Sequence, residues 1–505
     1  MTDLTLEAVW TRYQQAGRRR RCWEPLWRDA YAYALPQRAA GLGQEFGPGR
    51  NPAERLFDGT ALDGVDQLAS SLLAELTPPW SQWFGLVPGR EVDPLERDTF
   101  ADLLDHATQA LQAHFDRSNF AVEIHQAFLD LVTVGNATLL FEEAPAGALS
   151  AFRFAAVPMA EMYFEGGASG QITGHFRESR LAPATIRARW PGALAEPKTA
   201  GQEPEALRVV EAVQACGPRH LYHAILDRSD AVPLLLEGGC FETSPFISFR
   251  WLKGASEVYG RSPVMTALPD IKTVNKVVEL VLKNASIAVT GIWQADDDGV
   301  LNPATIRLVP GSIIPKAVGS SGLTPLQAPG RFDVSTLVLD DLRARIRRTL
   351  LVDRLGPVNG PRMTATEIVE RSSEVTRLLG ATFGRLQSEL LTPMIARAVA
   401  ILARRGEIPP FSLDGRLVDL TYKSPLARIQ ARQDVQNTLL WLESTAKMGE
   451  AAMRVVDLPA TAKWLGHSLG VPAQLIRDAE PDGLLKAGLE LLAGTDAAED
   501  GHDQP

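Results

Sequence analysis

Two stretches of this chain carry apolar side chains at helical spacing, and they stand on either side of a compact insert. In the first, Val274, Val277, Val278, Val281 and Ala285 form a stripe, with Lys272, Lys276, Glu279 and Lys283 off it. In the second, Leu339, Leu342, Ile346 and Leu350 form the stripe, surrounded by Arg343, Arg345, Arg347 and Arg348. Each spacing predicts a rod of roughly 30 Å at ~1.5 Å per residue. The insert between them, 289–330, reads as short strands and loops ("VTGIWQ", "TIRLVPGSIIP", "VGSSGLTPLQAPGR"). Such an insert sits at the far end of a helical pair.

Directly after the second rod comes "GPVNGPRM", 356–363, two Gly-Pro breaks around an Asn. The helical pattern then restarts. Thr364 and Glu367 form a capping box, in which the hydroxyl accepts from the Glu backbone N–H and the carboxylate reaches back. Ile368, Val375, Leu379, Phe383, Leu386, Leu390 and Met394 continue one apolar face to Ile401. A continuous helix to Arg404 would span about 60 Å. Pro393 predicts a kink or break. Gly380 and Gly384, four apart, predict close approach of another element.

The N-terminal part predicts helices over 3–35, 62–76 and 94–134, the last restarting its register at Phe120. "GNATLLFEE", 135–143, turns extended, and from 150 to 260 the period is mostly two. "LAPATIRARWPGAL", 181–194, is a helical interruption there. The fold class is therefore α+β, predominantly helical. Helix returns after Ser424, and the end of the chain fades into the acidic "GTDAAEDGHDQP".

Composition narrows the chemistry. There are 51 basic and 61 acidic residues, a net charge of −10. A protein that grips nucleic acid by its phosphates carries a basic excess, so contact with DNA would be loose or confined to a patch. Cys22, Cys216 and Cys240 are odd in number and far apart, which argues against a disulfide framework or a cysteine zinc site and fits a reducing, cytosolic setting. The N-terminus lacks a signal-peptide core, and no run of 18 uncharged apolar residues predicts a membrane span.

No P-loop, HExxH, GxSxG or EF-hand loop is present. "GLGQEFG", 41–47, is a connector with glycine spacing one residue too long for a dinucleotide loop. "ADDDG", 295–299, is a turn more than a calcium site. His220 and His223 fall on opposite faces of a strand, and His106, His114 and His125 lack carboxylates at useful helical spacing. No catalytic residue, metal ligand or cofactor is assigned. Mixed charges in "HFRESR", 175–180, suit cross-strand ion pairs. Trp80 and Trp83 suit buried anchors more than base stacking. Arg18 to Arg21 suit a solvated helix face, with contact to an acidic partner as the alternative.

Six segments in order resemble the head-to-tail connector, or portal, family of short-tailed bacteriophages, over roughly residues 5–480. They are "LASSLLAELTPPWSQWF", "LVTVGNATLLFEE", "EVYGRSPVMTALPDIKTVN", "PRMTATEIVERSSE", "SPLARIQ" and "LGVPAQLIRD". The resemblance implies a ring, generally of twelve subunits, at one capsid vertex of the virion, assembled in the host bacterial cytoplasm. Double-stranded DNA passes through it non-specifically, driven by the terminase large subunit. A tail adaptor, the major capsid protein and scaffolding protein are the other implied partners, and no membrane is. The family itself hydrolyses nothing.

Mapped onto this chain, 1–262 resembles wing and body, 263–288 and 331–353 the two stem helices, and 289–330 the clip. Residues 354–363 resemble the channel loop, 364–423 a long helix returning to the wing, 424–480 the crown, and 481–505 a C-terminal helix and disordered tail. On that mapping Arg354, Pro357, Asn359, Pro361 and Arg362 are the expected DNA-facing residues, the prolines restricting the loop's backbone. Lys276, Glu279, Lys283, Asp340, Arg343, Arg347 and Arg348 face the channel or a neighbouring subunit. For the arginines, ion pairs to Asp340, Asp341 or Glu279 of a neighbour are favoured over DNA. An α+β enzyme with a dispersed active site, or another ring-forming joining component, are the alternatives.

Overall fold

The computed structural model describes residues 5–39, 56–79, 81–93, 97–168, 170–194, 206–228, 232–255, 257–290, 293–295, 323–325, 332–352, 380, 382–411, 413–423, 425–449 and 455–469. The chain divides into two units, 1–422 and 423–505.

In the first unit, α1 (Leu6–Arg20) and α2 (Glu24–Ala34) replace the single helix expected over 3–35. The break falls at residues 21–23, with Pro25 in the first turn of α2, where its missing N–H costs nothing. Then follow α3 (Thr60–Leu76), β1 (Phe84–Pro88), α4 (Arg97–Arg117), α5 (Phe120–Val134), β2 (Asn136–Glu143), β3 (Phe152–Val157), β4 (Met162–Gly166) and β5 (Ile172–Leu181). After α6 (Pro183–Arg189) come β6 (Leu207–Cys216), β7 (Arg219–Leu226), β8 (Leu234–Phe241) and β9 (Phe246–Arg250).

Strands β4-β5-β6-β7-β8 form an antiparallel sheet, with Ala212 of β6 opposite Phe176 and His223. One face takes α1: Val9, Tyr13 and Ala16 pack on Phe176, Val210, Ala212 and Ile225. The other takes α6, whose Ile186, with Trp190 just beyond its end, covers Val209, Ala224 and Leu226. A second sheet, β3-β2-β9, lies against α5 and an aromatic core. There Phe141 stacks on Phe154 at 4.3 Å, and Phe115 meets Phe120, Phe152 and Phe154. Trp83 is buried beside Phe84, Phe115 and Phe120, as an anchor. Trp80, the glycine-rich 41–47 and the acidic turn 296–299 lie outside the described residues.

The two rods are α7 (Pro263–Thr290) and α8 (Phe332–Thr349); between them in sequence, β10 (Trp293–Ala295) and β11 (Leu323–Pro325) pair antiparallel. The rods are unequal, about 42 and 27 Å, because α7 begins within the body. The rest of 289–330 lies outside the described residues. A helix over Thr382–Arg404 includes a π turn, Gln387–Leu391, followed by α9 (Thr392–Arg404). The Thr392 N–H reaches back to the Gln387 carbonyl, an i−5 bond that widens the helix just before Pro393. Pro393 therefore registers as a bulge and not as a break.

This helix is long and apolar enough to cross a membrane. Its Met394, Ile395, Ala398, Val399, Ile401 and Leu402 are instead buried in the core. Buried Arg397 donates to the Phe141 and Thr243 carbonyls. β12 (Val418–Tyr422) closes the unit by pairing antiparallel with β1.

The second unit contains α10 (Pro425–Lys447) and α11 (Leu458–Leu469), which pack on each other. Leu440 and Trp441 of α10 and Leu458 of α11 are exposed.

Candidate functional site

The helix pair is rooted where α5 meets β2. Gly135 ends α5 with φ +75°, and its N–H returns to Leu131. An added Cβ there would lie 2.6 Å from the Arg261 backbone, and one on Gly260 would lie 2.3 Å from the Gly135 carbonyl. Only two glycines let these backbones approach so closely. Asn136 locks the contact, accepting from the Gly260 N–H at 2.7 Å and donating to the Val134 carbonyl at 2.9 Å. The Ser262 hydroxyl donates to the Thr133 carbonyl and accepts from the Met265 N–H, capping the start of α7. Two of the six resemblance segments, 131–143 and 257–275, thus meet in one knot from which α7 departs.

Beside the knot, Arg250 is almost wholly buried. Its guanidinium meets Glu389 of the π turn at 2.6 and 3.1 Å, and its backbone N–H meets the same carboxylate at 3.0 Å. The π turn and the root are therefore tied by a charge-assisted clamp.

The α7–α8 pair is antiparallel, with Arg345 near the end of α8 bonded to Asp270 near the start of α7 at 3.0 Å. Val264, Ala267, Ile271 and Val274 of α7 are buried, but Val277, Val278, Val281 and Ala285 are only half-buried. Along α8, Ile346 and Leu350 are fully buried, while Leu337 is 76% exposed. Burial thus falls away from the root, leaving Leu280, Leu282, Leu337 and Val338 open. Further ties hold the root: Asn275 accepts from the Phe57 N–H at 2.7 Å, and Lys272 meets Asp29 at 2.5 Å.

Arg343 donates to Asp58 of its own chain at 2.8 and 2.9 Å. Burial acts to raise the pKa of Asp58, but hydrogen bonds from Thr60 and Arg343 outweigh it and hold the carboxyl below its ordinary value. Glu279 bridges Lys276 at 3.0 Å and Lys283 at 2.6 Å on its own helix. Those two partners, Lys283 first, hold its carboxyl below the ordinary range. Asp340 is exposed, 3.9 Å from Arg343. Arg347 and Arg348 are exposed near the end of α8, which closes through Leu351 at φ 58°. Arg354, Pro357, Asn359, Pro361 and Arg362, and the cap residues Thr364 and Glu367, lie outside the described residues. An added Cβ on Gly380 or Gly384 would meet nothing within 4 Å among the described residues.

Sequence spacing missed several partners. His114 finds Glu407 at 2.6 Å from a distant segment. Arg189 finds buried Glu211 at 2.6 Å, whereas Arg177, in the stretch 175–180 where cross-strand pairs were expected, meets Glu161 at 2.9 Å and Glu211 of β6 at 3.9 Å. The basic run at 18–21 is not wholly solvated, since Arg20 is buried, donates to the Met162 and Ala160 carbonyls and lies 4.1 Å from the Tyr163 ring. Arg18 and Arg21 border a cavity of about 860 Å³ between α1 and the five-stranded sheet. On its floor Glu178 accepts from Tyr13 at 2.5 Å and Tyr163 at 2.7 Å. Among the described residues no group of three or more His, Cys, Asp or Glu is placed to hold a metal ion.

A mixed α+β body from which a rooted, antiparallel helix pair departs with its apolar flanks open is the architecture these residues build. The chain belongs to the family described as bacteriophage head to tail connecting protein, whose model matches residues 6–476. It is 24% identical to the probable portal protein of Bordetella phage BPP-1 over 506 residues, covering 92% of this chain and 88% of that one. It is 22% identical to the portal protein of Salmonella phage epsilon15 over 512 residues, covering 94% and 89%. Among solved structures, a chain of the native gene transfer agent virion covers 84% of this chain and 98% of its own length, at 14% identity and a TM-score of 0.35, too distant a likeness to carry an argument.

Proposed function

We propose that this chain is the subunit of a portal ring of about twelve copies at one capsid vertex, a conduit for double-stranded DNA during packaging and ejection. In this reading 263–288 and 331–353 are the stem, 289–330 the clip and 354–363 the channel loop. Residues 1–262 with 364–423 form the wing, and 424–480 the crown. The ring catalyses nothing itself. It docks the terminase large subunit and a tail adaptor, contacts capsid and scaffolding proteins, and ends as a virion component assembled in the host cytoplasm.

The observation that carries the reading is the loss of burial along α7 and α8. A fully buried Leu or Val contributes about 1.5–3 kcal/mol over an exposed one. Leu280, Leu282, Leu337 and Val338 forgo that in a single chain. Side-by-side packing of identical helix pairs recovers it, and a closed ring leaves no pair unpartnered. The portal names of the two full-length relatives support the same assignment. The net charge of −10 suits a conduit, which must not hold what it conducts. Negative-stain images and native mass of the purified protein test it. Symmetric rings with a central hole are expected; a monomer at every concentration refutes the proposal.

A further inference from the structure

Two cations hold one carboxylate beside the root of the helix pair, and a third lies close by. Arg250 clamps Glu389 as described, and Arg385, one turn earlier on the same helix, reaches Glu389 Oε1 at 3.3 Å. Lys253 places its Nζ 2.7 Å from the Gly170 carbonyl, to which Arg250 also donates. The next carboxylate along the chain, Glu257, is already taken by Arg261 at 2.5 Å and by the Gly254 N–H at 3.0 Å. Among the described residues, Glu389 therefore stands alone against Arg250, Lys253 and Arg385. Arg385 Nε is buried with no acceptor among the described residues. Burial, and then Arg250 and Arg385, hold the Lys253 ammonium below its ordinary pKa. A surplus of positive charge is unfavourable until an anion arrives.

We infer that Lys253 and Arg385 are the receiving half of an ion-pair site completed by a carboxylate side chain of a second copy of this chain. The chain's net charge of −10 favours a carboxylate of a second copy over a nucleic acid. Arg250 is buried and already clamped to Glu389, which leaves Lys253 and the partly exposed Arg385 to meet an incoming anion. The chain's own acidic surface supplies such carboxylates. The assignment rests on the ring reading, because only an assembly brings a second copy to this face.

Zero-length carbodiimide coupling of rings assembled from mixed ¹⁴N- and ¹⁵N-labelled subunits tests it. Cross-linked peptides joining Lys253 to a carboxylate of the other isotope are expected. Lys253→Gln is expected to raise the concentration for half-assembly about fivefold, the worth of one partly exposed ion pair, and Lys253→Arg to restore it. Rings whose Lys253 couples only within its own chain, or to nothing, overturn the inference and leave the ring standing. The same holds if Lys253→Gln weakens binding of a duplex oligonucleotide without affecting assembly. Absence of rings overturns both.

Discussion

At the residue scale, the partners that matter are far apart in sequence. Arg250 and Glu389 are 139 positions apart, Arg343 and Asp58 285, His114 and Glu407 293. No local spacing announces such pairs, so sequence reading offered neighbouring subunits for Arg343 and no partner for His114. Glu389→Gln leaves the Arg250 guanidinium buried without its counter-charge, a loss of about 3 kcal/mol or more. Urea unfolding should show it; a loss under about 1 kcal/mol would mean that the Gly170 and Val258 carbonyls suffice.

His175 gives a pH dependence. Burial foremost, and then His220, depress its pKa from 6.5 to about 3. The unfolded chain takes up a proton there that the folded chain refuses. Its stability contribution is therefore complete above about pH 6.5 and drains as pH falls towards 3, by about 1.4 kcal/mol per unit. His175 lies between the rings of Phe164 and Phe246, so His175→Phe should fit. The variant should lose about 2 kcal/mol less than the parent between pH 6.5 and pH 5. Equal losses in urea titrations at the two pH values would count against a neutral buried imidazole.

At the scale of elements, the helix pair was legible because one side of each rod is apolar at a period near 3.6. The central strand β6 was not. Val209 to Gln214 are buried on both faces of the sheet, which removes the alternation that marks a strand. The β1–β12 pair was equally silent, since its strands are short and far apart in sequence. The glycine knot was visible as two resemblance segments, but that Gly135 and Gly260 touch is a tertiary fact. Arg343→Ala tests what α8 does with its arginines. It strands Asp58 with the Thr60 N–H, and we expect about 1–3 kcal/mol lost from thermal unfolding. Unchanged stability with altered DNA retention would assign Arg343 to the channel instead.

At the scale of the whole molecule, the proposed ring assigns 354–363 to its channel. Deleting 356–361 is expected to leave rings intact and to impair packaging or retention of DNA in an assembly assay. Loss of rings would make the segment a core element. The family and the α+β class were readable from the order of motifs and the change of period along the chain. The π turn was not, because a proline in a helical pattern announces a disturbance without saying which kind. The most direct measurement is a reconstruction of the purified assembly viewed along its axis. The account predicts a ring in which α7 and α8 of each copy pack beside those of its neighbours, with 354–363 facing the central hole. A map that puts 354–363 on the outer perimeter contradicts it.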